Sequence, residues 1–298
     1  MTSATTSDVR ADATRAAPMR EAPRPRRRRP VRPWRIALYA ALSLGAVVMF
    51  FPFYWTLATS LTPNARLTAL RLWPERPSLD AYAQLIETLP FDRIVLNSLW
   101  IAAVSTAVQL LTSAMAAYVF ARMSFRGRDA LFVAYLATMM IPQAVLVVPL
   151  FIEMRTLGLV DTYLGLLLPS FTSVFAVFLI RQSIRQLPKE LEDAALMDGA
   201  GHLRIFFQIV LPLIRPVLAT LGVLAFMGSW NNFLWPLIII RSPELMTLPL
   251  GLATLRGQYT NPWEVVMAGS IISILPMALL YLVAQKHVVQ GVASAGLK

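Results

Sequence analysis

Six long apolar stretches constrain what this chain can fold into more than any other feature of its sequence. Each lacks Asp, Glu, Lys and Arg, apart from Arg215 at the edge of the fifth. Hydrophobic residues make up 57% of the 298 residues and charged residues only 14%, which is too few charges to cover a soluble globule of this length. The stretches therefore predict helices that cross a lipid bilayer, over residues 36–60, 95–120, 130–152, 163–180, 213–239 and 265–285.

The crossings are expected to be helices because lipid offers backbone N–H and C=O groups no hydrogen-bond partner. A β-barrel would show alternating rather than continuous apolar residues. The first stretch is too long, and too poor in a small-residue cleavage site, to be a removable signal peptide, so we expect a retained anchor. Prolines within most of the stretches predict bent or broken helices. The expected fold class is an all-α integral membrane protein with six transmembrane helices.

The basic residues predict the orientation of these helices. The chain has 27 Lys+Arg against 16 Asp+Glu, and ten of the arginines lie between Arg10 and Arg35. Residues 1–33 are predicted to be a disordered Arg/Pro-rich cytoplasmic tail, and residues 34–298 the transmembrane domain. With both termini in the cytoplasm, 19 basic residues lie inside and 7 outside, or 9 against 7 without the tail, so an N-in/C-in topology is favoured. A nucleic-acid partner is not expected, because the excess charge is one tail rather than a folded basic face with aromatics.

Few residues in this chain are suited to catalysis or metal binding. It contains no cysteine, only the histidines His202 and His287, and no Gly-Lys pair that would form a P-loop. We therefore predict no catalytic residues, no metal site, no cofactor and no enzymatic activity of its own.

The polar segment 181–211, between the fourth and fifth stretches, is predicted to be a cytoplasmic docking loop. Its carboxylates Glu190, Glu192 and Asp193 complement the positive end of a short helix. Gly199 is expected to end that helix in a left-handed conformation, and Asp198 to cap the next one. An amphipathic helix lying on lipid is the alternative, but such helices usually carry Lys and Arg on their polar face.

The apolar residues of this loop predict two faces. Leu191, Ala194 and Ala195 form a narrow stripe at i, i+3 and i+4, and its alanines allow close approach to a partner. A wider face follows, formed by Leu203, Phe206, Phe207 and Val210.

The segment from Leu191 to Pro216, LEDAALMDGAGHLRIFFQIVLPLIRP, resembles the signature loop of the membrane subunits of binding-protein-dependent ABC importers, in which EAA, DGA and I-x-L-P recur at this spacing. Three further stretches agree: PFYWTLATSLTP from Pro52, WNNFLWPL from Trp230, and QKHVVQGVASAGLK from Gln285. From Trp34 to Lys298 the chain is similar to maltose-transporter-type permeases, the carbohydrate-uptake branch. Two departures are Asp193 in place of the glutamate of EAA, and AGLK at the end where many relatives read GAVKG.

The resemblance implies an ABC importer permease fold with a cytoplasmic coupling helix that inserts into an ATPase subunit. The residues implied in this docking are Glu192, Asp193, Ala194, Ala195, Leu196, Asp198, Gly199, Ala200 and Phe206. It also implies a second permease subunit in a heterodimer, an ATPase dimer, an extracytoplasmic sugar-binding protein, and a multi-pass location in a bacterial or archaeal cell membrane. ATP hydrolysis by the partner would move the coupling helix and turn the cavity from inward to outward facing.

Polar and aromatic residues of the fifth stretch are candidates for a substrate path. An amide in hydrocarbon is costly, and Asn231 and Trp235 at i and i+4 would share a helix face that suits a sugar hydroxyl and the apolar side of a pyranose. The candidates are Asn231, Asn232, Trp235, Trp230 and Tyr54, with Trp55, Gln109, Gln143 and Ser229 as weaker ones. The alternative is that the amides cross-link helices and the tryptophans anchor the interface.

Three other functions are alternatives to sugar import. A glycerol-3-phosphate-type importer permease would want buried cations for the phosphate, and the predicted crossings hold none apart from Arg215 at an edge. A proton- or sodium-coupled secondary transporter would normally place an ionisable residue near the middle of the membrane. An assembly subunit without a pathway would leave the paired amides and the proline-broken helices without a role.

Overall fold

The computed structural model describes residues 33–65, 72–255 and 263–296, and all regular structure in these residues is helical. The all-α prediction is therefore confirmed for the described part of the chain. Fourteen α-helices lie in these residues: α1 Pro33–Ser60, α2 Asp80–Thr88, α3 Phe91–Arg122, α4 Arg128–Ala137, α5 Gln143–Thr156, α6 Tyr163–Leu167, α7 Val174–Arg185, α8 Glu190–Met197, α9 His202–Ile205, α10 Leu211–Leu213, α11 Arg215–Trp230, α12 Leu234–Ile239, α13 Leu248–Leu255 and α14 Trp263–Gly296. One π-helical turn, Phe206–Val210, joins α9 to α10.

Three helices are individually long and apolar enough to cross a membrane. They contain the segments Ala37–Ser60, Phe91–Arg122 and Trp263–Val283. Three further candidates are bent pairs: Arg128–Met140 with Gln143–Thr156 at 101°, Tyr163–Ser170 with Val174–Arg185 at 45°, and His202–Leu213 with Arg215–Trp230 at 79°. By length and composition the described residues thus offer three spans, or up to six if each bent pair counts as one.

Prolines mark several of the breaks between these helices. Pro142 directly precedes α5, and Pro169 lies in the 3-10 turn Leu168–Ser170 between α6 and α7. Proline lacks the N–H that a helix interior needs, and its ring clashes with the carbonyl four residues earlier, so a helix that meets a proline tends to restart there. Other prolines, such as Pro52 in α1 and Pro276 in α14, lie inside continuous helices.

The predicted fifth helix over residues 213–239 is wrong as a single element. In the structure α11 ends at Trp230, residues 231–233 are not helical, and α12 is a separate short helix. Pro236 explains the break, because a helix continued from α11 would place its ring against the carbonyl of Asn232. Within the first turn of α12, Pro236 needs no such hydrogen bond.

Helix α3 contributes to all three apolar clusters of the core. Near its start, Ile94 packs with residues of α2, α13 and α14. In its first half, Ile101 packs with residues of α5, α6, α12 and α13. Near its end, Ala114, Ala117 and Tyr118 pack with α7 and with the segment from α9 to α11. The elements that contribute to these clusters are therefore positioned relative to α3.

Polar side chains of α3 fasten it to its neighbours. The Asn97 amide donates to the carbonyl oxygens of Glu244 and Met246 at 2.8 and 3.1 Å and accepts from the Tyr163 hydroxyl at 2.8 Å. Further along α3, the hydroxyl of Ser105 donates to that of Ser229 in α11 at 2.9 Å. Hydrogen bonds of this kind replace the hydrophobic driving force that lipid does not supply between helices.

The chain divides into two units at the Met49–Phe50 bond, within α1. The second unit, from Phe50 onward, contains the cavity and the docking loop that are described below. The predicted tail over residues 1–33 lies outside the described residues, apart from Pro33 itself.

Candidate functional site

A cavity of about 690 Å³ lies beside α3 and is bordered by α5, α7, α11 and α12. Its size falls within the range of about 300–1,000 Å³ that is usual for small-molecule sites. None of the described residues that line it is charged. The polar lining consists of amides and hydroxyls, from Gln109, Gln143, Ser170, Thr172, Ser173, Ser229, Asn231, Asn232 and Thr247.

The break between α11 and α12 turns two of the predicted residues into this cavity. Asn231 is the C-cap of α11 and donates through Nδ2 to the carbonyl of Met227 at 3.0 Å, and Asn232 accepts the backbone N–H of Trp235 through Oδ1 at 3.4 Å. Among the described residues, the Asn231 Oδ1 and the Asn232 Nδ2 have no further partner and remain available to a ligand. The prediction that Asn231 and Trp235 share one helix face is wrong because the helix ends between them, although both line the cavity.

The aromatic candidates separate into different environments. Trp235 lines the cavity, but its indole N–H donates to the Gly165 carbonyl at 3.0 Å and its ring is buried. Trp230 is 1% exposed, donates to the carbonyl of Ser273 at 3.1 Å and does not line the cavity. Tyr54 lies outside the lining and stacks on Trp73 with ring centroids 6.4 Å apart.

Two amides named as weaker candidates, Gln109 and Gln143, also line the cavity, and neither makes a hydrogen bond within the described residues. Sequence reasoning missed the hydroxyls of Ser170, Thr172 and Thr247. The Thr247 Oγ1 is buried without a hydrogen-bond partner. No local pattern marks these residues, because they reach the cavity only through the packing of segments that are distant in the chain.

The docking loop folds into a corner between α8 and α9, which we call the docking corner (residues 190–205). Gly199 has a φ of 80°, so the prediction that it ends α8 in a left-handed conformation is confirmed. The backbone N–H of Gly199 donates to Leu196 and that of Ala200 to Ala195, at 3.0 and 2.9 Å. These two bonds form a Schellman motif, which satisfies carbonyls at the end of the helix. The predicted cap by Asp198 is wrong, since Gly201 is the N-cap of α9 and makes no side-chain cap.

The corner presents apolar side chains to its surroundings. Met197 is 89% and Leu203 67% exposed, and Leu191, Leu196 and Phe207 are about half exposed. Asp193, Ala194, Asp198 and Gly199 are also exposed, and Ala195 and Ala200 are half-buried. Exposed apolar groups beside carboxylates indicate a surface for another protein.

Two of the predicted docking residues face inward instead. Phe206 is 2% exposed and lies against Tyr118 of α3, with ring centroids 5.5 Å apart. Glu192 is 8% exposed and its Oε1 lies 2.6 Å from the Nε of Arg122, at the end of α3. That contact is an ion pair whose angle is not that of a hydrogen bond. The predicted wider face is thus divided, with Leu203 and Phe207 outside and Phe206 and Val210 in the core.

A cluster of hydrogen bonds joins the loop before α6 to the loop after α12. Asp161 accepts hydrogen bonds from the backbone N–H groups of Arg241 and Ser242 at 2.9 and 3.0 Å, and from the Ser242 hydroxyl. These donors, the hydroxyl above all, lower the pKa of the Asp161 carboxyl below its usual range. The carboxylate therefore holds the two loops together.

The chain is similar to proteins of one family over most of its length. Residues 109–294 match the family described as binding-protein-dependent transport system inner membrane component. The arabinooligosaccharides transport system permease protein AraQ of Bacillus subtilis (strain 168) is 37% identical over 270 residues, which are 89% of this chain and 96% of that protein. The lactose transport system permease protein LacG of Rhizobium radiobacter is 34% identical over 256 residues, 86% of this chain and 94% of that one.

A solved structure shares the fold. It is the crystal structure of a bacterial ABC transporter involved in the import of the acidic polysaccharide alginate, one chain of which superposes with a TM-score of 0.76 at 26% identity. The superposition covers 85% of this chain and 95% of that chain.

Proposed function

Because the chain belongs to the family of inner membrane components of binding-protein-dependent transport systems, we propose that it forms half of the path by which an ATP-driven importer takes up a neutral sugar or oligosaccharide. Membership of this family makes the chain a multi-pass permease of the inner membrane and confirms the resemblance to importer permeases that its sequence shows.

The uncharged cavity is the observation that carries the sugar assignment. Its size suits a mono- or disaccharide, and amides and hydroxyls such as those of Gln109, Asn231 and Thr247 are the groups that hydrogen-bond sugar hydroxyls. The aromatic and aliphatic side chains between them suit the apolar faces of a pyranose. The permeases AraQ and LacG are named for arabinooligosaccharides and lactose, which are neutral sugars of this kind.

A phosphate ester fits this lining less well than a neutral sugar. Phosphate groups are held by Arg, Lys or clusters of free backbone N–H groups. The described lining offers no cationic side chain, which disfavours the glycerol-3-phosphate alternative. The same lack of ionisable groups in the cavity disfavours coupling to protons or sodium.

For the membrane topology we propose six crossings with both termini in the cytoplasm. The three long helices and the three bent pairs supply six segments of sufficient length and apolarity. The distribution of 19 basic residues inside against 7 outside favours this orientation. The docking corner then lies on the cytoplasmic side, and Asp161 and Arg241 lie on the outer side.

We further propose that the docking corner seats in a cleft of a separate ATPase subunit. The exposed side chains of Leu196, Met197 and Leu203 would fill the cleft, and Asp193 and Asp198 would face basic residues at its rim. ATP hydrolysis is assigned to that partner because this sequence contains no P-loop. A second permease subunit would complete the pathway, and an extracytoplasmic binding protein would deliver the sugar.

Uptake into membrane vesicles tests the proposal. Vesicles that contain this chain with its companion permease and ATPase are given the binding protein and either radiolabelled lactose, arabinooligosaccharide or glycerol 3-phosphate. We expect uptake of a neutral sugar that requires ATP on the cytoplasmic side, is abolished by vanadate, and persists when a protonophore removes the proton gradient. Uptake that follows a proton or sodium gradient without ATP, or that prefers glycerol 3-phosphate, would contradict it.

A further inference from the structure

A buried ion pair joins the docking corner to α3, a continuous helix of 32 residues. Arg122 is the last residue of α3, and Glu192 lies in the first turn of α8. Their Nε and Oε1 atoms are 2.6 Å apart, and the two side chains are only 7% and 10% exposed. The Nη2 of Arg122 also donates to the carbonyl of Leu187 at 2.7 Å. One guanidinium group thus holds both α8 and the segment that leads into it.

Among the carboxylates in the first turn of α8, only Glu192 is buried. Glu190 and Asp193, on either side of it, are both exposed. Since charged side chains are almost never buried unless paired, the burial of Glu192 depends on its two partners, Arg122 and the Tyr118 hydroxyl. An apolar pair is often as stable as a buried ion pair, so stability alone does not explain this contact. What an ion pair adds is a specific pairing of two charged groups, which keeps the ends of the two helices a fixed distance apart.

Helix α3 leads from this ion pair to the cavity. Gln109 and Leu110 line the cavity, and the 14 residues from Gln109 to Arg122 correspond to about 20 Å of helix. The sequence of α3 contains neither proline nor glycine, whereas α1 and α14 contain prolines and the other candidate spans are bent. α3 is therefore the stiffest described connection between the docking corner and the cavity wall.

Further contacts next to the ion pair also connect α3 to the docking corner. Tyr118, one turn before Arg122, packs against Phe206, and its hydroxyl lies 3.5 Å from the Nδ1 of His202 at the start of α9. Both halves of the docking corner, α8 and α9, therefore contact the last turn of α3.

We infer that Arg122 and Glu192 are a positioning pair that makes the docking corner and the cytoplasmic end of α3 move as one body. A displacement of the corner is thereby transmitted along α3 to Gln109 at the cavity wall. The inference rests on the proposed docking function, to which it adds the residues that connect the two sites.

The first experiment measures the joint directly, without any partner. Because the chain contains no cysteine, spin labels attached after Ala107→Cys and Lys189→Cys report one distance, between exposed sites on α3 and just before α8. In the full chain in lipid nanodiscs we expect a single narrow distance distribution, which broadens or shifts with Arg122→Met or Glu192→Gln. The matched controls Arg126→Met and Glu190→Gln, which change exposed residues of the same segments, should leave it unchanged. An unchanged distribution in R122M would overturn the inference.

The second experiment measures coupling in the assembled importer, as ATP hydrolysed per sugar transported. We expect R122M to raise this ratio by about fivefold or more, while basal ATP hydrolysis stays the same. A factor of about five corresponds to the smallest coupling free energies that are usual between two sites of a protein. The double variant Arg122→Met with Glu192→Leu removes both buried charges, so it should restore the amount of complex but not the ratio. Parallel losses of complex, hydrolysis and uptake at a constant ratio would mean a merely structural role and would overturn the inference. If the wild-type complex shows no ATP-driven uptake, the proposed function fails, and the distance measurement still decides whether the joint is rigid.

Discussion

At the scale of single residues, the cavity depends on a few amides whose hydrogen-bonding capacity is only partly used. Asn231 is one of them, because it lines the cavity, its Nδ2 is occupied by the Met227 carbonyl, and its Oδ1 has no partner among the described residues. Since the side chain is exposed and ends a helix rather than joining two, its truncation should affect ligand binding more than folding.

Replacement of Asn231 by alanine should therefore lower sugar uptake by about fivefold, the effect of one lost hydrogen bond of about 1 kcal/mol. The amount of assembled complex should not change. Uptake in vesicles and immunodetection of the complex measure the two quantities. Gln84→Ala, an exposed amide of α2 outside the cavity, is the control. Normal uptake by N231A would assign Asn231 to a structural role.

Asp161 forms a pH-dependent contact between the loop before α6 and the loop after α12. Its pKa is lower in the folded chain than in the unfolded one, because the Ser242 hydroxyl and two backbone N–H groups stabilise the carboxylate. Its contribution to stability is therefore present above the usual pKa of about 3.9 and is lost as the pH falls through the lower folded value.

Asp161→Asn should remove this contribution and, with it, part of the acid sensitivity below about pH 4. Asparagine tolerates the left-handed backbone of this position, where φ is 60°, so the change tests the charge rather than the loop conformation. We expect a loss of at most about 1 kcal/mol at neutral pH, because the site is partly exposed to solvent. Thermal unfolding in detergent between pH 3 and 7 measures it; equal acid sensitivity of wild type and D161N would refute the role of the carboxylate.

At the scale of secondary-structure elements, function depends on where helices stop. The end of α11 at Trp230 brings Asn231 and Asn232 into the cavity, and the Schellman motif at Gly199 turns the chain from α8 into α9. A close backbone contact lies where α6 meets the loop before it. There a Cβ on Gly165 would clash with the backbone carbonyl oxygen of Leu159.

Gly165→Ala should consequently destabilise the protein by about 1–3 kcal/mol, since backbone must move to admit the methyl group. The shift would also disturb the hydrogen bond from Trp235 to the Gly165 carbonyl, which positions one wall of the cavity. Thermal unfolding in detergent is the measurement. Gly228→Ala is the matched control because its added Cβ would meet nothing within 4 Å. Equal stability of the two variants would contradict this account.

At the scale of the whole molecule, the proposed orientation places the docking corner and the α2 region on opposite sides of the membrane. The absence of native cysteine makes this accessible to thiol labelling of one introduced residue at a time. Met197, 89% exposed, and Leu79, 69% exposed, are suitable positions.

In membranes that contain the chain without its ATPase partner, we expect Met197→Cys to react with a membrane-impermeant maleimide only in inverted vesicles, and Leu79→Cys only in intact spheroplasts. The expectation follows from the excess of basic residues on the side of the corner. Labelling of Met197→Cys from outside would reverse the topology and remove the basis for docking to a cytoplasmic ATPase. The chain without an introduced cysteine is the negative control, because it has no thiol to label.

The sequence alone determined that the chain is a helical membrane protein and that Gly199 terminates α8, because hydropathy and turn chemistry are properties of contiguous residues. It also identified the amides at 231 and 232, since polar groups in an apolar stretch are visible without a structure. Only the tertiary structure decided that Glu192 faces Arg122 rather than solvent, that Trp230 packs away from the cavity, and that Thr247 lines it. These outcomes depend on helices far apart in the chain, and on the break at residues 231–233 that redirects the side chains after it, so no local pattern encodes them.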